Sequence, residues 1–89
     1  MKLALISTTN PTLSAGAFTT VFGDYEKVMY AHVMFDNPEV NDYIYAATVS
    51  ISEVTVTVTL KRTQVSSVTP TWANATTTNI TFVVLAEVV

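Results

Sequence analysis

Acid–base or metal chemistry in this chain would have to run through His32, its single histidine, because the 89 residues contain no cysteine. His32 sits in a run of alternating residues, with Tyr30 and Met34 at the neighbouring positions of the same parity. Nothing around it has the form of a nucleophile motif or a base-orienting partner, so a strand-face or interface histidine making one hydrogen bond is the stronger reading. Asp36, Glu39 and Asp42 gather three carboxylates within seven residues. A calcium loop needs oxygen ligands at regular intervals and a closing glutamate, which this spacing lacks, so a solvated acidic loop is expected. Asp24 and Glu26 read the same way. A glycosidase pair would need a substrate cleft that so short a chain cannot build around it. The expectation is a protein without enzymatic activity, bound cofactor or metal.

The aromatic residues are the second candidate set. Tyr25, Tyr30, Tyr43, Tyr45 and Trp72 could form a stacking platform. Sheets that bind oligonucleotides pair such rings with basic residues. Here the only adjacent cations are Lys61 and Arg62, and the formal net charge is -3. Nucleic acid is therefore excluded as a partner, and packing or protein contact is the expected use of the rings. Trp72, in a polar stretch after Pro70, is the best contact anchor, since tryptophan dominates interface energetics; a lid over an open end of the core is the competing role. Asn74-Ala75-Thr76 and Asn79-Ile80-Thr81 fit the glycosylation pattern, which arises readily by chance among sixteen threonines.

The elements that must position these side chains are strands. Val54-Thr55-Val56-Thr57-Val58-Thr59-Leu60 alternates apolar residues with threonine at period two, placing the valines and Leu60 on one face and the threonines on a neutral outer face. Lys2 to Thr8 reads as a short strand and not as a signal peptide, because Asn10-Pro11 cuts off the apolar run. A short strand at 17–22 leads into a Gly23-Asp24 turn. Tyr25 to Phe35 alternates with both faces largely apolar, which predicts a central strand or one covered by another chain. A turn follows at 36–39, with 38–42 able to form one helical turn.

Tyr43 to Arg62, as one strand, would span about 66 Å, twice the size expected of a domain with a radius of gyration of about 12 Å. The apolar parity also changes, from Ala47, Val49 and Ile51 to Val54, Val56 and Val58. A hairpin at Ser52-Glu53 resolves both problems. The connection 65–78 is polar, with a weak strand allowed at 63–68, and 79–89 forms the last strand. The fold class expected is all-β, a small antiparallel sandwich or barrel of five to seven strands, in one domain over residues 1–89.

Composition bears on partners. Only 12% of residues are charged while 49% are hydrophobic. A free monomer optimised for solubility would carry roughly twice that charge. A chain this short buries only about 60–65% of its unfolded surface, and no disulfide supplements the core. Subunit contact is the natural supplement. No run approaches the ~20 apolar residues of a membrane span, so no membrane partner is expected.

The segments Gly23-Asp24-Tyr25-Glu26-Lys27-Val28-Met29-Tyr30-Ala31-His32-Val33-Met34-Phe35, Val54–Leu60 and Phe82-Val83-Val84-Leu85-Ala86-Glu87, in a short cysteine-free all-β chain, resemble small virion proteins of tailed bacteriophages. The resemblance covers most of the chain and assigns no functional residue. It implies a homo-oligomer seated on a major capsid or tail protein in the virion, as a capsid decoration or cement subunit. A tail or head-completion subunit is the first alternative. A carbohydrate- or cell-surface-binding module using Trp72 and the tyrosines is the second. The residues expected at an interface are Trp72, Tyr25, Tyr30, Phe35, Tyr43, Tyr45 and Phe82.

Overall fold

A computed structural model of the chain describes residues 2–9, 11–36, 43–64, 71–75 and 80–89. Among them are seven strands: β1 (Leu3–Thr9), β2 (Ala17–Val21), β3 (Tyr25–Phe35), β4 (Tyr43–Ser52), β5 (Thr55–Gln64), β6 (Ala73–Asn74) and β7 (Ile80–Val88). All pairings are antiparallel. One sheet has the order β1-β7-β3; the other has the order β2-β5-β4, with the two-residue β6 also on β5. β4 pairs along the whole of β5, so β2 and β6 lie end to end on its other side. The fold is a small β-sandwich.

Period-two alternation builds the core. Ile80, Phe82, Val84 and Ala86 of β7 face inward, as do Val56, Val58 and Leu60 of β5, and all are essentially inaccessible. Each central strand thus offers its branched or aromatic side chains to the opposite sheet, about 10 Å away. Phe82 joins the layers: its ring meets Phe18 of β2 edge-on at 5.1 Å and lies 6.5 Å from Phe22. Such ring pairs add about 0.5–1.5 kcal/mol beyond the area they bury.

The expected hairpin is present. Ser52 pairs with Thr55, leaving Glu53 and Val54 as its two-residue loop. Val54 is therefore the tip and not the first strand residue, although it still packs partly on the core. Glu53 has φ 54°, a left-handed value where glycine or asparagine is usual. The tip is held by two backbone bonds: Val28 N–H of the other sheet donates to the Glu53 carbonyl at 2.7 Å, and Phe22 N–H, just after β2, to the Val54 carbonyl at 2.8 Å. A second tight turn, Ala15-Gly16, has both residues at positive φ, 52° and 77°, the signature of a type I′ turn.

Two expectations about β3 are corrected. Of the two readings, a central strand or one covered by another chain, the first does not hold: β3 is an edge strand, and β7 is the centre of its sheet. Its alternation is also interrupted, with register shifts between Tyr25 and Lys27 and between Val28 and Tyr30. Bulges are frequent at sheet edges, where they re-aim side chains. Here the shift lets Val28 face the core together with Ala31 and Val33, although its parity differs from theirs. The molecule is also longer than a compact sphere, with a radius of gyration of 14.5 Å against the ~12 Å expected for this length, and a longest extent of 49 Å. Long two-layer sheets with few strands per layer account for that. The pair Ala73-Asn74 as a strand is not foreseen in the sequence. The helical turn at 38–42 lies outside the described residues, as does most of the connection 65–78, including residues 65–68 of the weak strand.

Candidate functional site

The two sheets turn very different faces outward. On the second, Thr55, Thr57 and Thr59 of β5 stand beside Ala17, Thr19 and Val21 of β2 and Thr48, Ser50 and Ser52 of β4, as the registers place them. The hydroxyls of Thr19 and Thr57 are 3.4 Å apart. This face is neutral and polar, as the alternation predicts. Lys61 continues it and donates to Asn74 Oδ1 at 2.5 Å. Arg62 points the other way and stacks its guanidinium 4.3 Å above the Tyr43 ring. The two adjacent cations therefore serve opposite faces and form no joint basic patch.

The outer face of the first sheet carries one fully apolar row among mixed ones. Register places its side chains in rows that cross β1, β7 and β3: Leu3, Glu87 and Lys27; then Leu5, Leu85 and Tyr30; then Ser7, Val83 and His32; then Thr9, Thr81 and Met34. The two inner rows supply Leu5, 72% exposed, and Tyr30, 56% exposed, flanking Leu85 and Val83. Met29, Met34 and Leu3 extend the patch. At its far end Thr81 donates a hydrogen bond to the Asp36 carboxylate. Charge is confined to the two ends.

His32 belongs to this face. It is exposed, and its ring stacks on Tyr30 with centroids 6.3 Å apart and planes 12° from parallel. Its row neighbours are Val83 and Ser7, the latter two strands away. Two strand spacings are about 9.6 Å, too far for Ser7 and His32 to form a nucleophile–base pair. Glu26, Glu53 and Glu87 line an open depression with Lys27 and Val28. Among the described residues no group of three or more His, Asp or Glu could hold a metal ion. Glu39 and Asp42 lie outside the described residues.

The residues expected at an interface separate into three groups. Tyr30 and Trp72 are exposed, Trp72 at 52%. Tyr25, Phe35, Tyr43 and Tyr45 are half-buried. Tyr25 closes one end against Phe22 at 6.3 Å, while Phe35 and Tyr45 meet at 5.3 Å where β3 and β4 approach. Phe82 is 1% exposed and offers no surface to a partner. The correction follows from sheet order: on a central strand the inward parity is covered by both layers. The rings do not assemble one platform, since Tyr30 is on the outer face of the first sheet and Tyr43 and Tyr45 on the edge strand of the second. Missed in the sequence is the outward role of Leu3 and Leu5. Their period was legible, but only strand order shows that no other described strand covers them.

No family model, curated protein or solved structure matches this chain.

Proposed function

We propose that this protein is a non-enzymatic structural subunit that works by contact area, as a capsid decoration or cement protein of a tailed bacteriophage. The observation carrying the reading is the apolar row of Leu5, Leu85 and Tyr30 across the outer face of the β1-β7-β3 sheet, with Leu5 and Tyr30 exposed on its two edge strands and charge only towards the ends of the face. The largest apolar patch on a protein surface is often functional, and subunits of assemblies use such patches as contact surfaces. The neutral threonine face opposite suits a surface turned to solvent or to a polar neighbour. The phage setting comes from the sequence resemblance; the contact role comes from the face. Mass spectrometry of purified virions tests the assignment, with the chain expected in many copies per particle. Cryo-electron microscopy then separates a regular array on the head from a few copies at the tail. Complete absence from the particle overturns the reading.

A further inference from the structure

We infer that β1 is a pairing edge for a second copy of this chain, whose own β1 joins it antiparallel about a two-fold axis at Ile6. The inference concerns the backbone edge of a strand and does not rest on the contact role proposed above.

The two sheets leave four edges, and three of them are guarded. β3 is bulged twice and carries Lys27, and its Val28 N–H is taken by the Glu53 carbonyl. β4 is held to β3 by that bond at one end and by the Phe35–Tyr45 ring contact at the other. The other edge of the second sheet is split between β2, of five residues, and β6, of two. Charges, bulges, short strands and covering elements are the means by which proteins keep an edge from pairing. β1 has none of them. Leu3–Thr9 contains no charged residue, glycine or proline, and it pairs with β7 over all seven residues without a register shift. It is also uncovered: Leu5 is 72% exposed, and Ser7, Thr8 and Thr9 are exposed as well.

Backbone parity identifies the open groups. Val88 N–H donates to the Lys2 carbonyl at 2.8 Å, so Ala4, Ile6 and Thr8 are the residues that exchange bonds with β7. The N–H and C=O groups of Leu3, Leu5, Ser7 and Thr9 then point away from the sheet, and no described strand pairs with them. An added extended strand satisfies such a row. A two-fold axis at Ile6, perpendicular to the sheet, matches Leu3 with Thr9 and Leu5 with Ser7 of the other copy. Each of these pairs exchanges two bonds, about eight over the whole strand, comparable with the ~10 of a typical interface.

The strand suits its own copy. Ile6 is the middle residue of β1, so this register pairs every residue and leaves no overhang. On the inner face Ile6, which packs half-buried on the core, meets its own copy in a non-hydrogen-bonded pair, the closer of the two kinds. On the outer face Leu5 lies diagonal to Leu5 of the other copy. No like charges are brought together, because β1 has none. The axis uses up the open edge of both copies, and the assembly closes as a dimer.

The chain has no cysteine, so single cysteine variants report the register. At Ile6 the paired Cα atoms would be ~4.5 Å apart, within disulfide range. Ile6→Cys is expected to give a covalent dimer on air oxidation at about 100 μM. Ala4→Cys, more than ~13 Å from its own copy in this register, is expected to stay largely monomeric. Sedimentation of the wild-type chain from about 1 μM to about 1 mM is expected to show a reversible monomer–dimer equilibrium. Ser7→Pro removes an N–H that β7 does not use and is expected to weaken association at least ~10-fold. Ser7→Lys, which brings two lysines near the axis, is expected to do the same and decides the matter if the proline variant proves unfolded by circular dichroism. A wild-type chain that stays monomeric throughout overturns the inference. So does a dimer indifferent to the folded Ser7 variants, or cross-linking no faster at Ile6→Cys than at Ala4→Cys.

Discussion

Replacing Gly16 by alanine tests how the second sheet is held at its edge. Gly16 has φ 77° and lies where β2 ends and β6 begins along β5. A Cβ there would come 2.9 Å from the Asn74 Cβ, 2.9 Å from the Leu60 carbonyl oxygen and 3.2 Å from the Asn74 Cα. Two of those atoms are backbone, so the Ala15-Gly16 turn must move away from β5 and β6. Left-handed φ costs an alanine ~1–2 kcal/mol relative to glycine. Forcing extra carbon into a packed site adds about 1–3 kcal/mol. Leu60 N–H donates to the Gly16 carbonyl at 2.7 Å and Ala75 N–H to the Leu60 carbonyl at 3.0 Å; loosening them adds up to ~1 kcal/mol. Alanine recovers roughly 0.5–1 kcal/mol by restricting the unfolded chain. The net loss is about 2–4 kcal/mol, a large share of the ~4–13 kcal/mol that a domain of this size possesses. Urea unfolding followed by circular dichroism should show a lower midpoint at unchanged slope, and the melting temperature should fall by about 10–25 °C. Gly23→Ala is the control, since nothing lies within 4 Å of its added Cβ. If Gly16→Ala costs no more than Gly23→Ala, the close approach of β6 to the β2 turn is refuted.

Other perturbations follow from the same geometry. Glu53→Gly relieves the left-handed strain at the hairpin tip and should raise stability by about 0.5–1 kcal/mol, read as a higher urea midpoint; a loss of stability would mean that the Glu53 side chain has a role at the tip. Tyr45 has a buried hydroxyl without a hydrogen-bond partner, so Tyr45→Phe should be neutral or stabilising by about 1 kcal/mol in thermal melts, and a clear destabilisation would reveal a partner for that oxygen. Adjacent residues of β7 should respond oppositely to polarity. Val84→Thr places a hydroxyl in the core and should cost about 1–3 kcal/mol, whereas Val83→Thr on the outer face should change the unfolding free energy of the monomer by less than about 0.5 kcal/mol. Equal losses would mean that the two faces of β7 are not distinguished as the register requires.

All the strands but β6 are legible in the residue pattern. Period-two alternation marked β1, β3 and β7 to within about two residues and β5 except for its last four, because a side chain on a strand can face only two ways. The change of parity between Ile51 and Val54 marked the hairpin, because one slipped residue reverses every face beyond it. Low charge and apolar residues on both faces of 79–89 pointed to a covered surface. Which strands are central, and which side each layer covers, follows only from the assembled sheets. Pairing partners far apart in the chain, such as Leu5 with Leu85, leave no local signal, so the apolar row crossing β1, β7 and β3 exists only once the sheet is assembled. The bulges of β3 are of the same kind: an alternating run reads as unbroken, yet Val28 turns inward because its partner across the sheet is Ala86. Phe82 and Tyr30 looked equivalent as exposed-or-packed aromatics. Sheet order buried one between the layers and left the other on the open face.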